Sequence, residues 1–84
     1  MYKNDVLLSR EMKDILKALR ENIKFYRKLS GLTQGQLAEK LGGSKKSLVS
    51  NYENGHSLPD ILTISKLADI FEITIDELMG RRDF

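Results

Sequence analysis

Residues 33–55 read TQGQLAEKLGGSKKSLVSNYENG and contain the strongest structural signals of the chain. Thr33 is followed three residues later by Gln36, a spacing typical of a reciprocal cap at the start of a helix. Gly42 and Gly43 end this helix, because glycine enters the left-handed backbone region at little steric cost. The apolar residues between these two signals have the spacing of one buried helical stripe. They are Leu37, Ala38 and Leu41.

A second helix is predicted to follow the glycine turn, from Lys45 to Asn54. Leu48, Val49 and Tyr52 lie on one side of it, while the other side carries ammonium, hydroxyl and amide groups. Such groups can bind phosphates and base edges in the major groove of double-stranded DNA. Two short helices joined by a turn, with the polar side of the second exposed, are the arrangement of a helix-turn-helix DNA-binding element.

The composition indicates one small helical domain. The chain has 84 residues, of which 40% are hydrophobic, and a single proline. No segment shows the alternation of a half-buried strand, so an all-helical bundle is the simplest architecture. A domain of this size should have a modest free energy of unfolding, roughly 4 to 13 kcal/mol.

Several classes of protein are disfavoured by what the sequence lacks. There is no cysteine, so disulfides and thiolate metal sites cannot form. No apolar run approaches the roughly 18 residues that span a bilayer, and no signal peptide is visible. His, Asp and Glu residues do not cluster, and no nucleophile has a base at a useful spacing. We therefore expect a cytoplasmic protein that is not an enzyme, with no cofactor, no metal ion and no membrane partner.

Charge is distributed unevenly along the chain. Residues 1–56 hold 11 Lys and Arg against 6 Asp and Glu, whereas residues 57–84 hold 3 against 6, which gives the net charge of +2. A basic front part with an acidic rear part is expected of a protein that contacts a polyanion from one side. Solvated lysines on amphipathic helices would give a similar pattern, so charge alone adds little to the DNA interpretation.

The rest of the chain is predicted to form three further helices. One long helix covers 9–29, a second covers 61–71 after the cap Asp60, and a capping box of Thr74 and Glu77 opens a last short one. Met12, Ile15, Leu16, Leu19 and Ile23 keep one helical spacing along the first of these helices. The positions expected to be buried are Phe25, Tyr26, Ile61, Ile64, Leu67, Ala68, Phe71, Ile75, Leu78 and Met79.

Several short motifs occur in a fixed order along the chain, and none is specific alone. They are Leu19, Ile23, Tyr26 and Arg27, GLTQ at 31–34, LAEKLG at 37–42, VSNYENG at 49–55, Pro59 and ITIDEL at 73–78. Their order and spacing resemble the phage-repressor and Cro family of helix-turn-helix domains, the xenobiotic-response-element (XRE) type, from Leu19 to Gly80. The resemblance implies an all-α fold, a compact five-helix bundle of the lambda-repressor-like type with an N-terminally extended first helix.

The resemblance also suggests how the chain divides. Residues 1–18 form an N-terminal arm or extension of the first helix, residues 19–80 the DNA-binding domain, and residues 81–84 a tail. Besides disorder, two interpretations of the arm stay open. It folds onto the core of its own domain, or it packs against a second subunit.

The resemblance and the side-chain chemistry together indicate which residues contact DNA. Lysine donates to guanine or to phosphate, serine donates or accepts, and asparagine pairs with adenine through two hydrogen bonds. The residues expected to read bases are Lys45, Lys46, Ser47 and Asn51. The residues expected to contact the DNA backbone are Gln34, Ser50, Asn54 and His56, with Gly55 and Ser57 offering further N–H groups in the loop.

A further pair of residues has a structural role implied by the same resemblance. Arg27 in the first helix and Glu53 at the end of the third form a partly buried ion pair that ties the two helices together. Removing one partner would leave an unpaired charge, at a cost of roughly 3 to 5 kcal/mol. Arg20, Lys24 and Lys28 are interpreted as ordinary charges on the helix surface.

The turn before the third helix departs from the family pattern, because it is one residue longer. Either Gly42–Gly43 form a lengthened turn and the helix starts at Lys45, or Ser44 caps the helix and a bulge lies within 47–50. Two adjacent glycines favour the first alternative, since they make an insertion in a loop inexpensive in free energy.

The sequence therefore predicts a sequence-specific regulator of transcription that binds double-stranded DNA, most simply as a repressor. It would act as a homodimer, with the 45–54 helix in the major groove of each half-site and the half-sites about 34 Å apart. The alternative is a protein-protein interaction module, or an antitoxin-type partner binder, that retains the fold. The salt dependence of DNA binding distinguishes these alternatives, because contacts to many phosphates weaken steeply as salt rises.

Overall fold

The computed structural model describes residues 4–43 and 45–81, with side chains from residue 11 onward. Within these ranges the chain forms helices and no strand, which confirms the predicted all-α bundle with an extended first helix. The five helices are α1 (Asn4–Leu29), α2 (Gln34–Lys40), α3 (Lys46–Asn54), α4 (Ile61–Phe71) and α5 (Ile75–Met79).

Helix α1 is the longest element and extends beyond the bundle formed by the other helices. Its 26 residues correspond to about 39 Å at 1.5 Å per residue, close to the longest dimension of the molecule, 43 Å. The predicted start at Ser9 was too late, because residues 4–8 are already helical. Neither glycine nor proline lies in this segment to stop the helix. The helix continues unbroken through residue 18, where the arm was expected to meet the domain.

Helix α2 begins with the predicted capping box. The Gln36 backbone N–H donates to Thr33 Oγ1 at 3.1 Å, and the Thr33 N–H donates to Gln36 Oε1 at 2.8 Å. Helix α3 begins at Lys46, one residue later than predicted. Lys45 is the N-cap instead, because its backbone is extended, with φ −81° and ψ 152°.

The chain between α2 and α3 adopts the glycine turn that was predicted for it. Gly42 and Gly43 both have positive φ, 109° and 84°, which only glycine adopts readily. Helix α3 runs without interruption over 46–54, so the alternative of a bulge within the helix is wrong. Ser44, the cap in that alternative, lies outside the described residues.

The core lies where α1, α2, α3, α4 and α5 meet. Its rings include Tyr26 and Phe71, which stack with centroids 6.0 Å apart. Asn22 ties α1 to α5, since its side-chain amide donates to the Leu78 carbonyl at 3.0 Å. The buried hydrophobic residues are Leu19, Ile23, Leu37, Ala38, Leu41, Val49, Tyr52, Leu67, Ala68, Phe71 and Leu78.

Three residues that were predicted to be buried are exposed instead. Phe25 is 57% exposed, Ile61 83% and Ile75 44%. Met12, on the arm whose packing the sequence left open, is 58% exposed. Ile61 and Ile75 each occupy the first position of a short helix, where the side chain projects past the end of the packed stripe. Phe25 lies outside the apolar stripe of α1 and packs edge-to-face with Tyr26, with ring centroids 5.1 Å apart. Helical spacing therefore predicted which side of each helix faces the core, but not which residues on or beside that side remain exposed.

Candidate nucleic-acid interface

A buried ion pair fixes the position of α3 relative to α1. Arg27 Nε donates to Glu53 Oε2 at 2.6 Å and Arg27 Nη2 donates to Glu53 Oε1 at 3.2 Å. The two side chains are 9% and 3% exposed. Arg27 Nη1 donates to the Leu32 carbonyl at 2.9 Å, so the same guanidinium also contacts the loop before α2. Three segments of chain are thereby joined at one side chain.

Gln34 lies at the first position of α2 and contacts the same carboxylate. Its Nε2 donates to Glu53 Oε1 at 3.0 Å, and the residue is half-buried. The sequence predicted a contact from Gln34 to the DNA backbone, whereas in the unbound protein its amide supports the end of α3. The DNA contact remains a prediction.

The outward face of α3 carries the polar groups that were predicted to bind DNA. Ser47 and Asn51 are exposed, and the side chains one turn further along lie on the same face. There Asn54 Nδ2 donates to Ser50 Oγ at 3.2 Å, so these two residues form a polar pair. Lys46 is exposed at the N-terminal end of the helix.

The inward face of α3 packs on the core. Val49 is fully buried and Tyr52 is 7% exposed. Burial raises the pKa of the Tyr52 hydroxyl above its ordinary value, and a hydrogen bond with the Thr63 side chain partly offsets this rise. The hydroxyl is therefore neutral at physiological pH, as expected for a group that links α3 to α4. One side of α3 is thus held firmly while the other faces outward.

The loop after α3 uses its backbone N–H groups to close the helix. Gly55, with φ 80°, is the C-cap. The His56 and Ser57 N–H groups both donate to the Asn51 carbonyl, at 2.8 and 3.3 Å, and the Gly55 N–H donates to Tyr52 at 3.4 Å. The expectation that these N–H groups are available to DNA was wrong, because the helix end requires them. The His56 side chain is exposed, and its contact with the DNA backbone remains a prediction.

Arg20 was missed by the sequence reasoning, which treated it as an ordinary surface charge. Its side chain is half-buried against the turn after α3, where a Cβ on Gly55 would lie 2.7 Å from Arg20 Nη1. The spacing of Arg20 and Arg27 was the available signal, since residues seven apart lie on the same face of a helix. Two arginines of α1 therefore contact the C-terminal end of α3.

Two other kinds of site have no support in residues 4–43 and 45–81. No group of three or more His, Asp or Glu residues in these ranges is arranged to hold a metal ion. None of the helices in the same part of the chain is both long enough and apolar enough to cross a membrane.

Comparison with known proteins gives a family match over two thirds of the chain. The helix-turn-helix family model matches residues 23–78. The segment from Ile23 to Leu78 includes α2, α3, α4 and most of α5, with the C-terminal part of α1. No solved structure gives a significant match.

The chain is also similar to named regulators. It is 41% identical over 63 residues to the cryptic phage CTXphi transcriptional repressor RstR of Vibrio cholerae, covering 75% of this chain and 55% of RstR. It is 36% identical over 64 residues to the HTH-type transcriptional regulator ImmR of Bacillus subtilis, covering 76% and 50%. It is 32% identical over 63 residues to the HTH-type transcriptional regulator SinR of Bacillus licheniformis, covering 75% and 57%. The chain spans about half the length of these relatives.

Proposed function

Because the chain belongs to the phage-repressor and Cro (XRE) type of the helix-turn-helix family, we propose that it is a sequence-specific DNA-binding regulator of transcription and acts as a repressor. The observation that carries this proposal is the exposed polar face of α3, which is held in place by the buried contacts of Glu53. A rigid support of this kind is what a base-reading helix requires, because side chains that read bases must be positioned closely. The compartment expected for such a regulator in a bacterium is the cytoplasm.

Base reading is assigned to the N-terminal part and the centre of α3. In the major groove, Asn51 can pair with adenine through two hydrogen bonds, and Lys46 can donate to guanine O6 or N7. Ser47 lies one turn before Asn51 on the same exposed face and can donate or accept. Lys45, the N-cap, lies just before the helix and is placed to reach a base or a neighbouring phosphate.

Contacts to the DNA backbone are assigned to the residues on either side of these readers. Ser50 and Asn54, which already form a polar pair, offer a hydroxyl and an amide to one strand. His56 offers its imidazole from the loop that follows. Gln34 lies at the N-terminus of α2, where helix N–H groups favour an anion. These contacts would place α3 in the groove without reading sequence.

The proposed regulator binds as a homodimer to a near-palindromic operator. Support comes from a group of exposed apolar side chains where the loop after α3 meets α4. They are Leu58, Ile61 and Leu62, which are 60%, 83% and 63% exposed. A two-fold dimer would place its half-sites about 34 Å apart, one turn of the DNA helix.

The proposal is tested by selecting bound sequences from random double-stranded oligonucleotides and measuring affinity for the selected site and for single-base variants of it. We expect Lys46→Ala and Asn51→Ala to reduce discrimination roughly 5- to 150-fold at one base pair, since a good side-chain pairing contributes about 1 to 3 kcal/mol. Lys66→Ala, at an exposed position on α4, is the matched control.

Two outcomes would contradict this proposal. If no sequence is enriched in the selection, the protein does not read DNA. If sequences are enriched but both α3 variants discriminate as well as the parent, the base-reading residues are assigned wrongly. The alternative of an interaction module is not favoured, because the named relatives are regulators of transcription.

A further inference from the structure

The charges of α1 are separated into distinct arcs around its axis. With 100° of rotation per residue, the basic residues of α1 from position 11 onward, other than Arg27, fall within an arc of about 80°. This set, the cationic flank, is Lys13, Lys17, Arg20, Lys24 and Lys28. The acidic residues described in the same helix lie outside the arc, and they are Glu11, Asp14 and Glu21.

The members of the cationic flank are available to a partner. Lys13, Lys17, Lys24 and Lys28 are exposed. The ion pair found among the described residues joins Arg27 to Glu53, and it involves none of the five. Within the part of the chain that the structure describes, none of the five therefore forms an ion pair.

The contacts of α1 place the cationic flank beside the proposed DNA-binding surface. Arg27, next to the flank, contacts Glu53 near the end of α3. Arg20, within the flank, lies against Gly55 in the turn that follows. The backbone N–H groups of this turn already bind the last carbonyls of α3, so an anion beside the turn has to be bound by side chains such as the Arg20 guanidinium.

We infer that the cationic flank of α1 is a second binding surface for the phosphate backbone of double-stranded DNA. The inference rests on the proposed function and extends it, because it lengthens the contact along the DNA beyond the helix-turn-helix. From Lys13 to Lys28 the flank spans about 22 Å, a length of duplex that carries about 13 phosphate charges. A surface of one charge sign attracts and steers a partner of the opposite sign, and duplex DNA presents negative charges at regular spacing along its axis.

Part of the flank lies outside the segment that the family model matches. Lys13, Lys17 and Arg20 precede the matched residues 23–78. The N-terminal extension of α1 therefore has a role in this inference beyond lengthening a helix. It carries cations past the edge of the domain, toward DNA next to the half-site that α3 reads.

The test compares the salt dependence of DNA binding by the full chain and a Lys13→Gln/Lys17→Gln double variant. The slope of log affinity against log salt decreases by about 0.9 for each lost phosphate contact, so we expect a slope less steep by roughly 1.8. The decrease in the salt slope should be equal for the selected operator and for a scrambled duplex, because phosphates carry no sequence information. In a phosphate-ethylation interference experiment, the double variant should no longer be sensitive to ethylation of phosphates outside the half-site that α3 contacts.

A charge-matched control separates location from net charge. The Lys66→Gln/Arg81→Gln variant removes the same two charges at exposed positions off the flank, and we expect its slope to match that of the parent. An unchanged slope in the flank variant would overturn the inference, and so would an equal change in both variants. If the parent selects no DNA sequence and its DNA binding does not depend on salt, the proposed function fails as well.

Arg20 needs its own test, because a merely structural contact with Gly55 is the competing explanation. We expect Arg20→Gln to reduce the salt slope by about 0.9, and Arg20→Lys to restore most of it. Thermal unfolding of both variants is measured in parallel. If Arg20→Gln lowers the unfolding temperature but leaves the slope unchanged, Arg20 only supports the turn and does not belong to the DNA surface.

Discussion

One carboxylate organises the proposed DNA-binding surface. Glu53 accepts hydrogen bonds from Arg27 of α1 and from Gln34 of α2, so a single residue of α3 joins three helices. The family resemblance implied the pair with Arg27. The contact with Gln34 could not be read from the sequence, because Gln34 and Glu53 are 19 positions apart in the chain and lie in different helices. Residue types indicated the chemistry, and packing determined which groups meet.

The buried ion pair gives a prediction about stability. Glu53→Ala leaves the guanidinium of Arg27, whose side chain is 9% exposed, without its anionic partner. We expect the free energy of unfolding to fall by roughly 3 to 5 kcal/mol, a large part of the total for this size of domain. Urea denaturation followed by circular dichroism measures the change.

A double variant provides the control for that measurement. Arg27→Met/Glu53→Leu removes both charges, so it should destabilise the protein less than Glu53→Ala does. A loss of less than about 1 kcal/mol for Glu53→Ala would show that the pair behaves like an exposed one.

Helix boundaries were predictable where a side chain makes the cap, and less so elsewhere. Thr33, Asp60 and Thr74 each cap the helix that the sequence assigned to them, through a hydrogen bond to a backbone N–H three residues later. The start of α3 was wrong by one residue, because Lys45 makes no side-chain cap bond and leaves no signal in the sequence. A side-chain cap depends on a few neighbouring residues and can be predicted from the sequence. The start of a helix that depends on the geometry of the preceding turn cannot be predicted in this way.

The cap of α4 predicts a dependence of stability on pH. The Thr63 backbone N–H donates to Asp60 Oδ1 at 2.8 Å and, with the Thr63 hydroxyl, lowers the pKa of this carboxyl group below its ordinary value. A carboxyl whose pKa is lower in the folded state stabilises the fold above its unfolded pKa. This contribution is lost as pH falls through the folded pKa.

Asp60→Asn keeps a side chain that can cap but removes the titration. We expect the unfolding temperature of the parent to fall more steeply than that of this variant between about pH 5 and pH 2. The unfolding temperatures of the two proteins should converge at the lowest pH. Thermal unfolding across that range is the measurement, and the other carboxyl groups titrate in both proteins. If the difference in unfolding temperature between the two proteins stays constant over this pH range, titration of Asp60 is not the cause.

The whole molecule combines a polar α3 face, a cationic flank on α1 and an exposed apolar group at Leu58, Ile61 and Leu62. Three large exposed apolar side chains within five residues are more than a monomer needs, and they indicate a surface that a partner covers. A second copy of the chain is the proposed partner, since a two-fold dimer matches a palindromic operator.

The dimer proposal predicts the effect of a surface substitution. Ile61→Ser should raise the dimer dissociation constant by roughly tenfold or more, since burial of one large apolar side chain contributes about 1.5 to 3 kcal/mol. Sedimentation equilibrium measures the constant, and Phe25→Ser, at a residue 57% exposed on α1, is the control. Equal dissociation constants for the parent and Ile61→Ser would remove this surface from the dimer.

Local sequence patterns predicted the helices and their apolar faces, because capping and helical periodicity depend on residues within a few positions of one another. The residue types on α3 also indicated which side chains could read bases. The burial of Gln34 against Glu53, the position of Arg20 over Gly55 and the exposure of Ile61 depend on how helices distant in the chain approach one another. Contacts of that kind depend on the packing of the assembled bundle, and no short segment of the chain contains that information.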